Sequence, residues 1–136
     1  MSWECPECGR VFSRNKQAHS CESYDLAPLF VKSNEGVRVL YDILIKKVKE
    51  FGPVDTRVGP YNVSVRNLST FLNIIPERDH LTISFVRHEP LDEFPIYKTY
   101  QHSAKKWSNL LKIESPDEID KQFINWLKDA YELSGE

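Results

Sequence analysis

The sequence predicts an α+β protein: an antiparallel sheet of four to six strands with N- and C-terminal helices on one face, preceded by a small zinc finger. Three observations predict it. Apolar residues recur at helical spacing from Asn34 to Phe51 and again from Ile119 to Tyr131, the period between Val54 and Glu114 is two, and every cysteine lies within the first twenty-one residues. Two domains follow, a leader over residues 1–25 and an α+β domain over residues 26–136.

The leader reads Cys5-Pro6-Glu7-Cys8, ten residues, then His19-Ser20-Cys21. Two close pairs of soft or borderline donors can close a tetrahedron around Zn²⁺, as structural Cys₃His sites do. Gly9 follows the second cysteine, where a knuckle turn needs a residue tolerant of positive φ. With Cys5, Cys8, His19 and Cys21 all engaged, no position stays open for substrate water, so the expected Zn²⁺ is structural. The competing account is three cysteines gathered into a hydrophobic patch, which leaves the paired spacing and the glycine unexplained. Ser13 to Ala18 is expected to form a short helical turn, and Tyr24 to Lys32 a linker packed through Leu26, Leu29 and Phe30.

Val37, Leu40, Tyr41, Leu44, Val48 and Phe51 form one helical face; Ser33 or Asn34 can cap its start and Gly52-Pro53 ends it. Lys46, Lys47 and Lys49 sit where cations favour a helix C-terminus. Strands are expected at Tyr61 to Arg66, Phe71 to Ile75, Leu81 to Val86, Ile96 to His102 and Trp107 to Ile113, with Pro76-Glu77-Arg78-Asp79 as a hairpin connection. Ser115-Pro116-Asp117-Glu118 is a capping box, so a last helix is expected to start there and to line Ile119, Phe123, Trp126, Leu127, Ala130 and Tyr131 on one face. Both helices then cover one side of the sheet and leave the other open.

Composition sets further bounds. With 40% hydrophobic and 28% charged residues and a mean hydropathy of -0.48, the chain belongs with soluble globular proteins. No apolar run reaches the roughly twenty residues of a membrane span, and the start lacks a signal-peptide profile, so a cytoplasmic location without membrane contact is expected. Three cysteines in a reducing compartment favour thiolates over disulfides. The net charge of -2 is unevenly laid out. Residues 1–25 have three basic and four acidic side chains, residues 26–112 thirteen and nine, and residues 113–136 two and seven. That layout permits an anionic ligand without being a nucleic-acid signature.

The run Cys5-Pro6-Glu7-Cys8-Gly9-Arg10-Val11-Phe12, with Gln17, His19, Ser20 and Cys21, resembles the start of bacterial proteins of domain-of-unknown-function family 5655. Leu40-Tyr41, Trp107, Trp126-Leu127 and Ala130-Tyr131 are similar to that family as well. The resemblance implies a metal-binding leader on a compact α+β domain of unsettled role, with Cys5, Cys8, His19 and Cys21 as ligands and no catalytic residue.

Candidate ligand-binding residues fall into two groups. Arg10, Arg14 and Lys16 lie between the zinc-ligand pairs, where a zinc-ordered turn would present them to phosphate; the plainer account is a solvated charged loop. Arg66, Arg87, Lys98, Tyr100, His102 and Trp107 combine cations with aromatic faces on strands, as single-stranded nucleic acid requires, although strand aromatics usually serve packing. Asp79-His80 and His88-Glu89, with Asp92 and Glu93, have the residue types of an acid/base pair but read as loops. No phosphate-binding glycine loop, nucleophile elbow or HExxH helix occurs. The leading expectation is a zinc-containing, non-catalytic binding module for nucleic acid or another anionic ligand. A hydrolase or nuclease-like enzyme at the open sheet face, through His80, His88 or His102, and a protein-interaction module stand beside it. Oligomeric state is not legible.

Overall fold

The helical period that begins after Asn34 produces α1, Glu35–Lys49, and Asn34 caps it by accepting a hydrogen bond from Val37 N at 3.2 Å. A computed structural model describes residues 3–6, 11–12 and 25–135, the pair at 11–12 through its backbone only. In the leader, β1 (Trp3–Glu4) pairs antiparallel with β2 (Val11–Phe12), and Cys5, directly after β1, is 4% exposed. Cys8, His19, Cys21, Arg10, Arg14, Lys16 and the turn expected at Ser13 to Ala18 lie outside the described residues.

The linker folds as a 3-10 turn, Ala27–Phe30, and packs Leu26, Leu29 and Phe30 against the core. Beyond α1 come β3 (Asp55–Val58), β4 (Val63–Arg66), β5 (Thr70–Pro76), β6 (Leu81–Arg87), β7 (Lys98–Ser103), β8 (Lys106–Ile113) and α2 (Lys121–Ser134). Six strands make one antiparallel sheet in the order β3-β4-β5-β6-β8-β7. All neighbours are consecutive in sequence except β6 and β8, between which the chain loops out to the edge and returns. β3 had no counterpart among the expected strands.

Register decides which side of each strand is covered, because successive side chains point to opposite faces. Val63 and Val65 pair with Ile74 and Leu72, these with Ile83 and Phe85, and Ile83 with Leu111, so one apolar set runs across four strands. All of these are buried, and α2 lies over them across β5 and β6 with α1 packed beside it. Phe85 stacks on Trp126 of α2 at 6.0 Å and meets Phe123 edge-on at 6.4 Å. Each such large apolar side chain removed from water contributes about 1.5–3 kcal/mol. A register shift between Val65 and Arg66 breaks the alternation, so Phe71 as well as Leu72 is buried, and Phe71 packs edge-on against Tyr131.

The C-terminal helix begins later than expected. The capping-box segment closes a 3-10 turn, Pro116–Glu118, in which Glu118 Oε1 accepts from the backbone N–H of Glu114 and Ser115 at 2.8 and 3.0 Å. Ile119 then leaves helical geometry at ψ 65° and is buried, and Asp120 caps α2 by accepting from Phe123 N at 2.9 Å. Burying Ile119 decides against one continuous helix.

Candidate functional site

Both helices stand on one side, so the other side of the sheet carries the polar half of every strand. One rung crosses all six strands through paired positions: Arg57, Ser64, Asn73, Ser84, Leu110 and Lys98. A cation stands at each end and small polar side chains line most of the middle. Asn62 Nδ2 hydrogen bonds to Asn73 Oδ1 and donates to Ser64 Oγ at 3.3 Å, which fixes the β4–β5 part of the rung.

The next rung toward the other end of β7 pairs Tyr100 with Ser108 and Ser108 with Val86. Tyr100, His102, Ser108, Val86, Ser84 and Asn73 line a depression of about 420 Å³ on this face. His102 Nε2 is hydrogen bonded to Ser108 Oγ at its wall. Lys98 Nζ lies 4.9 Å from the Tyr100 ring centre, a cation–π contact, and the Tyr100 hydroxyl raises the Lys98 ammonium above its ordinary range. Lys98 is therefore a fixed positive charge at neutral pH. Lys112 Nζ stands 5.5 Å from the Tyr97 ring in the same way.

The strands β4 to β8 contain five cations, Arg66, Arg87, Lys98, Lys106 and Lys112, and no carboxylate. Among the described residues, acidic side chains lie instead on the helices, in the turns and loops, at Glu4 of β1 and at Asp55 of edge strand β3. Of those cations Lys98, Lys106 and Lys112 belong to the side away from the helices; such a face attracts anions, and its exposed rings supply π surfaces.

The six residues singled out on the strands separate into three places. Lys98, Tyr100 and His102 alternate along β7; Tyr100 and His102 line the depression together with Lys106, and Lys98 stands beside the Tyr100 ring outside that lining. Arg87 and Trp107 are paired across β6 and β8 on the helix side, where Arg87 Nη1 bonds to Asp129 of α2 at 3.0 Å. Arg66 is 9% exposed and donates from Nη2 to Leu68 O at 2.6 Å, which ties its own turn. Ser64, Asn73, Ser84 and Ser108 escaped the sequence reading, although a polar residue at the off-core position of each alternating strand was the available signal; Arg57, on the unexpected β3, gave none.

The loop residues considered for acid/base chemistry are kept apart. Asp79 and His80 form a 2.7 Å pair before β6, and the hydrogen bond from His80 holds the Asp79 carboxyl below its ordinary range. His88 follows the other end of β6 and approaches Lys105 O at 3.3 Å. Seven strand residues, about 23 Å, separate the two. No group of three or more His, Cys, Asp or Glu side chains among the described residues is placed to hold a metal ion. Asn109 anchors the loop between β6 and β7: its Oδ1 accepts from Leu91 N at 2.7 Å and its Nδ2 donates to Glu89 O at 3.5 Å.

Fold and face define a class: an α+β protein whose two helices cover one side of an antiparallel sheet and leave, among the described residues, a cationic, aromatic-bearing side open. No helix among the described residues is long and apolar enough to cross a membrane. The chain belongs to the family described as Domain of unknown function (DUF5655), whose family model matches residues 27–134 and so spans the α+β domain. No curated protein and no solved structure matches the chain.

Proposed function

We propose that the chain is a cytoplasmic, non-catalytic binding module that holds an anionic ligand, nucleic acid foremost, on its open sheet face, with a zinc-ordered leader. The observation that carries this reading is the meeting of Tyr100, His102 and Lys106 around one depression, with Lys98 against the Tyr100 ring, on a face where strands β4 to β8 bear no carboxylate. Phosphate supplies the charge partner for Lys98, and a base stacks on the Tyr100 ring. Arg10, Arg14 and Lys16 would add charge from the leader.

For the leader, the spacing of Cys5, Cys8, His19 and Cys21 supports a structural Zn²⁺. Cys5, buried directly after the first strand of a two-stranded pair, suits a thiolate ligand at a knuckle. Folding of so short a segment would draw on the metal, since such peptides gain about 10–16 kcal/mol on binding it.

An enzyme reading retains one observation, the His102–Ser108 hydrogen bond, which is the contact a base and nucleophile make. It ranks second because no carboxylate occupies β4 to β8 to orient the imidazole. The test of the binding reading is a gel shift of the full chain with single- and double-stranded DNA and RNA at low and moderate salt. Binding should weaken steeply as salt rises, and Lys98→Ala should weaken it at low salt while the unfolding midpoint holds. Absence of a shift with every probe at low salt refutes the proposal.

A further inference from the structure

The depression beside β7 has a neighbour. A second one, of about 760 Å³, is lined by Pro28, Val31, Lys32, Tyr61, Ile75 and Arg78 at the far end of β5. Asn73 borders the first and Ile75 the second. These two residues follow each other on the same face of β5, about 7 Å apart. The depressions therefore adjoin along one strand.

Each contains an exposed ring and at least one cation, Lys106 lining the first and Lys32 and Arg78 the second. Tyr100, 47% exposed, stands at one end beside Lys98, and Tyr61, 79% exposed, stands at the other with Lys32 and Arg78. Among the described residues, Glu77 is the one carboxylate lining either depression. Tyr61 sits in the turn between β3 and β4, where Gly59 N donates to Asn62 O. From β7 to β4 are four strand spacings, so the two tyrosines are offset by about 20 Å across the sheet, in addition to their offset along the strands. The rung from Arg57 to Lys98 runs between them.

Resting on the reading of this face as an anion-binding surface, we infer that it is a track for an extended single strand of nucleic acid, one base stacked at Tyr100 and a later base at Tyr61. A mononucleotide reaches one ring only, whereas a strand at the lower end of the usual 4–16 nucleotide site sizes reaches both. Single strands suit the site because both platforms need an unstacked base face, which a duplex hides. Charge complementarity favours this occupant over a neutral or basic peptide.

Fluorescence anisotropy of the full chain at fixed low salt separates the possibilities, using a labelled single strand of about three nucleotides, one of about ten, and the longer one annealed as a duplex. The ten-nucleotide strand is expected to bind about tenfold or more tighter than the short one. Tyr61→Ala should weaken the long strand about tenfold and leave the short one unchanged, whereas Tyr100→Ala should weaken both. Tyr61 is exposed, so its replacement leaves folding intact, as an unchanged melting midpoint will verify. A long strand indifferent to Tyr61→Ala but weakened by Lys98→Ala overturns the track and keeps the binding face. Preference for the duplex, or competition by an acidic peptide as effective as the long strand, also overturns it. If no probe binds at all, the proposed function itself falls.

Discussion

Gly52 leaves α1 at φ 146°, a conformation that side-chain-bearing residues rarely adopt, and a Cβ there would meet the hydroxyl of Tyr131. Tyr131 has no room to retreat without loss: its hydroxyl donates to Pro53 O at 3.2 Å and its ring packs against Phe51 and Phe71. Gly52→Ala should therefore cost about 1–3 kcal/mol in urea unfolding. Adding Tyr131→Phe should recover part of it, since the steric conflict goes and the φ strain stays; equal stability of Gly52→Ala and the parent would refute this. The sequence showed the helix stop but not the clasp, because Pro53 and Tyr131 meet only in the folded chain. Arg87 and Trp107 teach a similar lesson. Arg87 shares the parity of Leu81, Ile83 and Phe85, and Trp107 that of Leu111 and Ile113, so their place on the helix side was legible from alternation. Residue type alone had drawn them into the ligand set.

At the scale of elements, legibility tracked the strength of each periodic signal. α1 matched its expected span because six apolar residues, a capping asparagine and a terminal Gly-Pro agree. β3 was invisible: Asp-Thr-Arg-Val is only four residues at the sheet edge, and Val58 is its one apolar contact with the core, too little for a period of two to be read. For α2 the capping box gave a true local structure and a wrong start. Asp120 is the cap that matters to the long helix, and Asp120→Ala should lower stability by about 1 kcal/mol while Asp120→Asn costs much less. Equal thermal midpoints for Asp120→Ala and the parent would return the helix start to Ser115.

At the scale of the whole molecule, charge layout was readable before any pairing was known: the middle of the chain is basic and the last segment acidic. Which face collects the cations was not, because that depends on the register of six strands. The same scale decides how leader and domain relate. Among the described residues, the core cluster begins at Val37 and draws on the α+β domain alone, none of the described leader residues belonging to it. The family match likewise starts at residue 27. If Cys5, Cys8, His19 and Cys21 bind one Zn²⁺, Cys8→Ser should remove the metal, read as loss of the single equivalent in elemental analysis. The unfolding midpoint of the domain should stay within the roughly 0.5 kcal/mol typical of changes away from a core. Zinc content unchanged by Cys8→Ser would refute the ligand set. A large fall in the stability of the domain would instead show that the leader braces it, and the two-part organisation would give way to a single cooperative unit.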